Sequence, residues 1–367
     1  GGRAAAAAAA EDRAHHDRPS RRPVINGREV HSLEEASKAG LMLALATDQH
    51  GCRFLQEQLE AAPQRAVPLV LGAILPGLPA LMTDPYGNYL CQKVVQLASA
   101  EDQLAIVKAI APHLPAICYN VHGTRATQRL LENVRGSEAQ DVVAGALAPH
   151  VRELLRDGNA NHVLQRCVAT LYGGRGAFVF EAILEDFLGV AMHRHGCCVL
   201  QRALDNAPVE RKEEMLEKVV EHCATMVTDQ FGNYVVQYAL GLQEAPLTRR
   251  IVEALRGRVG ELATQKFASN VVEKILASED AQSRSRAISE LLQEATLPAL
   301  LHDPYGNYVL QRVMQVGDPG ELRLMEERVV PFMAGLRSTL YGKRIQAKLL
   351  KQFPGLAAGQ AAQGAQA

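Results

Sequence analysis

Polar and apolar positions follow a helical period along most of the chain, and the sharpest case runs from Asp303 to Arg312. Asp303 has an N-cap side chain, and Pro304 suits a first helical turn. Stepping about 100° per residue from Asn307 puts Gln311 roughly 40° away, Tyr308 roughly 100° and Arg312 roughly 140°. Val309, Leu310, Val313 and Met314 fall on the opposite side. The pattern predicts an amphipathic helix whose apolar side packs. Its other side carries an amide pair one turn apart, with an aromatic ring and a cation beside it.

The device recurs. Gly51, Gly87, Gly123, Ala160, Gly196, Gly232, Ala268, Gly306 and Gly342 follow one another at steps of 36, 36, 37, 36, 36, 36, 38 and 36 residues. So tight a period predicts a solenoid of stacked units, none of which can bury its apolar face alone. Ala stands in twice, so the position asks for smallness rather than a left-handed backbone. Three residues earlier stand Asp48, Asp84, Asn120, Asp157, His193, Asp229, Gln265 and Asp303. Most are N-cap types, and a helix is expected to start at each. Every unit has room for two or three helices of about ten residues. No alternating strand pattern is read anywhere in the chain.

Residues 1–32, opening on an Ala run, read as a disordered lead, 33–352 as the repeat domain and 353–367 as an unfolded tail. Glu11, Asp12 and Asp17 weigh against a transit peptide in the lead. The apolar run from Ala66 to Met82 is long enough to suggest a membrane span. Its prolines at 68, 76 and 79, and its place in the register, make it core helices instead, and no membrane partner is expected. Tyr172 to Gly176 lacks the Lys-Ser/Thr of a phosphate loop and reads as a turn.

Composition narrows the function. Apolar residues make up 47% of the chain, Trp is absent, and aromatics at 5% are scarce for an all-β protein. Formal net charge is −1, so any nucleic-acid binding must rest on local placement rather than bulk charge. Seven scattered cysteines with no Cys-x-x-Cys give no zinc spacing, and no metal or cofactor is expected. They point to a reducing compartment. Gly-x-Ser-x-Gly, His-Glu-x-x-His and Walker motifs are missing, so an enzyme is not expected. His193 with His195 reads as structural, and Cys197–Cys198 as packing plus surface contact.

A three-residue set follows each small position: the next residue, the one after it, and the one four after the first. The sets are Cys52, Arg53, Gln56; Asn88, Tyr89, Gln92; Thr124, Arg125, Gln128; and Asn161, His162, Gln165. They continue with Cys197, Cys198, Gln201; Asn233, Tyr234, Gln237; Ser269, Asn270, Glu273; and Asn307, Tyr308, Gln311. First and third members sit at i and i+4 and point the same way. Solvated faces drift between repeats, yet the third member is Gln everywhere except Glu273. Most middle members are planar, as groups that stack on nucleobases are. The residue after the third member is basic at Lys93, Arg129, Arg166, Arg202, Lys274 and Arg312, a stripe suited to a phosphate backbone.

Tyr-Gly-Asn-Tyr-Val-Leu-Gln at 305–311, His-Gly-Cys-Arg-Phe-Leu-Gln at 50–56 and Phe-Ala-Ser-Asn-Val-Val-Glu at 267–273 are similar to the repeat motif of the Pumilio-homology (PUF) family of single-stranded RNA-binding proteins. The resemblance covers roughly residues 33 to 352. It implies an all-α, right-handed superhelical crescent of eight three-helix repeats with flanking half-repeats. Tyr341-Gly342-Lys343-Arg344 would open the C-terminal cap. It implies RNA on the concave face, one base per repeat and antiparallel to the protein. First and third members would read base edges and middle members would stack.

Asn with Gln suits uracil, whose edge both donates and accepts. Ser269 with Glu273 suits guanine, whose two N–H groups a carboxylate accepts, and Cys or Ser with Gln leaves room for adenine. From the last repeat to the first, the sets then spell 5′-UGUAUAUA-3′. Cys198 stands where a stacking Arg is usual, and Thr124 where Cys or Ser is usual. The first should weaken stacking near the fifth repeat, and the second should leave the third repeat lax. By resemblance, the protein is expected to be a cytoplasmic monomer bound to mRNA 3′ untranslated regions in post-transcriptional regulation, with deadenylase or repressor proteins on the convex face. Two alternatives stand beside this: a nucleolar relative that handles ribosomal RNA, and a helical scaffold of the armadillo or HEAT kind that binds proteins.

Overall fold

The computed structural model describes residues 22–356, and the expectations for 1–21 and 357–367 lie outside them. The chain divides after Val179 into two compact units. In the first, each repeat opens with a short helix: Met42–Thr47, Leu78–Thr83, Leu114–Tyr119 and Val151–Arg156. A middle helix follows: Gln49–Ala61, Gly87–Leu97, Val121–Asn133 and Ala160–Thr170. Third helices are Pro63–Ile74, Ala100–Ile110, Ser137–Leu147 and Ala177–Glu185, the last of which spans the division. In the second unit the middle helices are Gly196–Asn206, Gly232–Gly241, Ala268–Leu276 and Gly306–Val316, again between a short helix and a third one. Leu340–Gln352 ends the stack. The fold is the expected all-α solenoid of eight three-helix repeats.

Within each unit, successive middle helices pack on one another, so every repeat covers its neighbour's apolar side. Val309, Leu310, Val313 and Met314 are all buried, as the helical wheel required. The small positions are close approaches to the preceding short helix. A Cβ on Gly51 would lie 2.5 Å from the Leu45 carbonyl oxygen, and one on Gly196 would lie 2.5 Å from that of Val190. None of these glycines has a positive φ.

Starts of the middle helices differ from expectation in detail. Asp48 and Asn120 are true N-caps, accepting from Gly51 N and Gly123 N. Asp84, Asp157, Asp229 and Asp303 also bind the backbone N–H groups two and three residues on, but regular helix begins only at the small residue. That carboxylate takes the N–H groups of the first turn, so a bend precedes the helix. His193 does the same through Nδ1, which accepts from His195 N and Gly196 N. Gln265 does not cap; its amide donates to Glu261.

Two further departures concern the chain's ends, whereas the apolar run folds as expected. Residues placed in the disordered lead form a small antiparallel hairpin, Val24–Ile25 with Arg28–Glu29. Its turn has φ of 52° at Asn26 and 78° at Gly27, and Asn-Gly is the pair that such a turn favours. Only two strand residues flank the pair on each side, too few to give an alternating pattern. At the other end, Phe353 and Leu356 are buried, so order runs past residue 352. The stretch Pro63–Thr83 has span-like apolarity, with a mean hydropathy of 1.8. It folds as two helices joined by a 3-10 turn at Leu75–Gly77, and Val70, Leu71, Ile74, Leu78, Leu81 and Met82 enter the repeat core. Tyr172–Gly176 is the expected turn.

Candidate nucleic-acid interface

The first turn of each middle helix sets the site. In repeats two, four, six and eight the first member is Asn, and it is not a surface residue as the wheel implied. Asn88, Asn161, Asn233 and Asn307 are only 1–2% exposed. The bend before the helix leaves backbone carbonyls pointing at that position. Asn88 Nδ2 donates to the carbonyls of Asp84 and Pro85 at 2.8 and 2.9 Å. Asn161 repeats this with Asp157 and Gly158, Asn307 with Asp303 and Pro304, and Asn233 with Asp229. The remaining amide oxygen faces the third member. Gln92, Gln165, Gln237 and Gln311 donate Nε2 to it at 3.0, 2.9, 2.8 and 3.1 Å. The two amides are joined, one beneath the other.

The other repeats are built differently. Cys52 and Thr124 turn away to the next repeat, donating to the carbonyls of Tyr86 and Asn159 at 3.1 and 2.9 Å. Gln56 reaches Cys52 Sγ and O at 3.3 and 3.4 Å, and Gln128 reaches Thr124 O and Oγ1 at 3.2 and 3.5 Å. Cys197 and Ser269 donate to the carbonyls of Arg194 and Lys266. Their third members, Gln201 and Glu273, make no hydrogen bond among the described residues. Burial raises the Glu273 carboxyl above its ordinary value, with nearby Arg312 opposing the shift.

Middle members are the outward ones. Tyr89, Tyr234 and Tyr308 are 43%, 56% and 50% exposed, and Arg125, His162, Cys198 and Asn270 are exposed as well. Arg53 is half-buried and paired with Glu57 at 3.2 Å. Every repeat thus shows a buried first member and a half-buried third member, and in all but the first repeat the middle member is exposed.

Eight segments match the Pumilio-family RNA binding repeat: 42–70, 79–111, 113–144, 150–173, 186–220, 222–255, 258–292 and 299–327. The chain belongs to the Pumilio family. Its repeats are RNA-binding repeats, and the family is one of RNA-binding proteins rather than enzymes. Pumilio domain-containing protein C6G9.14 of Schizosaccharomyces pombe is 40% identical over 313 residues, covering 85% of this chain and 46% of that protein. Pumilio homolog 12 of Arabidopsis thaliana is 35% identical over 328 residues, covering 89% of this chain and 55% of its own length. The chain thus spans about half the length of these relatives. Among solved structures, the Puf4 RNA binding domain bound to an HO endonuclease RNA 3′ UTR recognition sequence is similar, with a TM-score of 0.79 and 38% identity. That match covers 82% of this chain and 96% of the solved domain.

In this Pumilio-family chain the basic stripe is largely neutralised. Lys93 pairs with Glu60 at 2.5 Å, Arg129 and Arg166 share Glu132 at 2.8 and 3.2 Å, and Arg202 lies 3.5 Å from Asp205. Among the described residues, Lys274 and Arg312 are in no such close ion pair, although the Arg312 charge acts on the Glu273 carboxyl. The free thiols follow burial. Burial pushes Cys52 up to about 11 and Cys118 and Cys223 up to about 12. Exposed Cys198 is the exception, held below its ordinary value by the neighbouring Cys197 thiol.

Proposed function

We propose that this protein recognises UGUAUAUA-like elements in mRNA 3′ untranslated regions, one base per repeat, and acts in post-transcriptional regulation. The observation that carries the reading is the recurrence, through eight successive repeats, of a buried first member and a half-buried third member one turn apart, with an exposed middle member in seven of them. Asn307/Gln311, Asn233/Gln237, Asn161/Gln165 and Asn88/Gln92 take uracils. Ser269/Glu273 takes guanine, and Cys197/Gln201, Thr124/Gln128 and Cys52/Gln56 take adenines. Tyr308, Tyr234, Tyr89, His162 and the exposed Arg125 stack, each base contributing about 1–3 kcal/mol. Action as a cytoplasmic monomer that recruits deadenylase or repressor proteins belongs to the same proposal and rests on the family resemblance.

Selection of bound RNAs from a random pool tests the code directly and should return UGUAUAUA-like sequences. A sharper check is the combined change Ser269→Asn, Asn270→Tyr and Glu273→Gln, which gives repeat seven the residues of repeat eight. The second nucleotide should then change from G to U. An undiminished preference for G would break the register.

A further inference from the structure

The last helix, Leu340–Gln352, is built like the middle helix of a repeat. Thr339 caps it, accepting from Gly342 N at 3.0 Å. Gly342 is its small position, where a Cβ would run into the Leu336 carbonyl oxygen. Ile345 and Leu349 are buried, and the helix packs on Gly306–Val316. One period on from repeat eight, Lys343 stands for Asn307, Arg344 for Tyr308, Ala347 for Gln311 and Lys348 for Arg312. The side that carries an amide pair in a repeat therefore holds none here. It holds three cations, and Lys351, roughly 80° from Lys343 on the helical wheel, joins them.

All four cations are exposed. Lys343 is exposed where repeats bury their first member, because no further repeat covers it. Among the described residues none of the four is in an ion pair. Glu321, on the preceding helix Pro319–Val329, is taken up by its own capping box. Arg344 instead lies 6.0 Å from the centre of the Tyr341 ring. Charge is thus unevenly placed along the chain. The basic positions of repeats two to five stand beside carboxylates. Lys274, Arg312 and Lys348, at the same place in repeats seven and eight and in the cap, are in no close ion pair among the described residues. Before repeat one, Arg28 is paired with Glu35, and Arg65 with Glu34.

A cation without a carboxylate partner gives up only water and counterions when it takes a phosphate. We propose that the cap helix is a phosphate-binding surface for the RNA on the 5′ side of the recognised element. With the strand antiparallel to the protein, an octamer ends at repeat eight, so these cations meet only a longer RNA. Phosphates carry no base identity, so the cap adds affinity without adding sequence preference. This inference rests on the antiparallel, one-base-per-repeat reading above.

The test measures the affinity of the whole chain for 5′-UGUAUAUA-3′ and for the same octamer lengthened at one end by about four nucleotides, all A or all C. At about 100 mM KCl, the 5′ additions should tighten binding at least about fivefold, alike for A and C. They should also steepen log K against log salt by about 0.7 for each phosphate engaged. The 3′ additions should change affinity by less than about twofold. Lys343→Gln, Arg344→Gln and Lys348→Gln together should abolish the 5′ gain and the added slope. A kept preference for UGUAUAUA over a scrambled octamer shows that this variant is folded. Removing three cations from third helices instead, by Lys108→Gln, Lys212→Gln and Lys218→Gln, should leave the 5′ gain in place. Equal gains at both ends, a gain that survives the cap changes, or one that needs a particular added base would overturn the inference and leave the base register standing. A native chain that does not prefer UGUAUAUA over the scrambled octamer would overturn the register, and the inference with it.

Discussion

At the residue scale, Glu273 departs from the repeated amide, and its surroundings make its charge conditional. Burial holds its carboxyl above the ordinary glutamate value, against the pull of Arg312. For an acid raised in this way, the fold is favoured most below the unfolded-state value, and that advantage is lost as pH rises through the folded one. Guanine needs the opposite state, since only the carboxylate accepts two N–H groups. Affinity for the G-containing RNA should therefore fall as pH is lowered, starting at a higher pH than an ordinary glutamate would require. Glu273→Gln should bind that RNA more weakly at pH 7.5 and lose the pH dependence. Parallel profiles for the two proteins would mean that the carboxylate does not meet the base. The identity of this residue was legible in the chain, since Glu replaces Gln once in eight places. The depth of its partner positions was not. A helical wheel treats Asn307 as surface because it is polar. It becomes core because the Asp303-Pro304 bend turns two carbonyls toward it.

At the element scale, the close approach of the short and middle helices sets the rise of the stack, and the spacing of small residues announced it. Gly196→Ala would place a methyl 2.5 Å from the Val190 carbonyl oxygen, a backbone atom that cannot swing aside. The expected cost is about 1–3 kcal/mol in denaturant unfolding. Gly72 lies in Pro63–Ile74, is exposed, and has nothing within 4 Å of a new Cβ. Gly72→Ala should stabilise by about 0.5–1 kcal/mol through helix propensity alone. Equal effects of the two changes would mean that the small positions are conformational rather than steric. Ala160 and Ala268 already argue for sterics, since both are buried without a glycine backbone. Elements with a long period behind them were readable for this reason. The hairpin at 24–29 was not, because two residues on each side of Asn26-Gly27 give no alternation to detect.

At the scale of the whole molecule, charge decides how the protein holds a polyanion. Six cations follow the third members in the sequence, and on that count a steep salt dependence would be expected. Their acidic partners change the estimate. Some come from the same helix, as Arg129 with Glu132, and others from the preceding repeat, as Lys93 with Glu60 and Arg166 with Glu132. The second kind became visible only when neighbouring repeats were set side by side. Exposed pairs of this kind contribute about 0–1 kcal/mol, so a phosphate can displace the carboxylate. The carboxylate nevertheless stays beside the displaced contact and cancels most of the field, in a chain whose formal net charge is −1. If only Lys274 and Arg312 act as full cations, log K against log salt should slope at about −1.4, against about −4 if all six do. Titration of the binding constant from about 50 to 300 mM KCl separates these values, and the steeper one would show that the acidic neighbours do not screen RNA. Glu132→Gln removes the partner of both Arg129 and Arg166. It should tighten binding at low salt and steepen the slope by about 1.4, whatever the RNA sequence, because phosphates carry no base identity. A change confined to one sequence would instead place Glu132 in base reading.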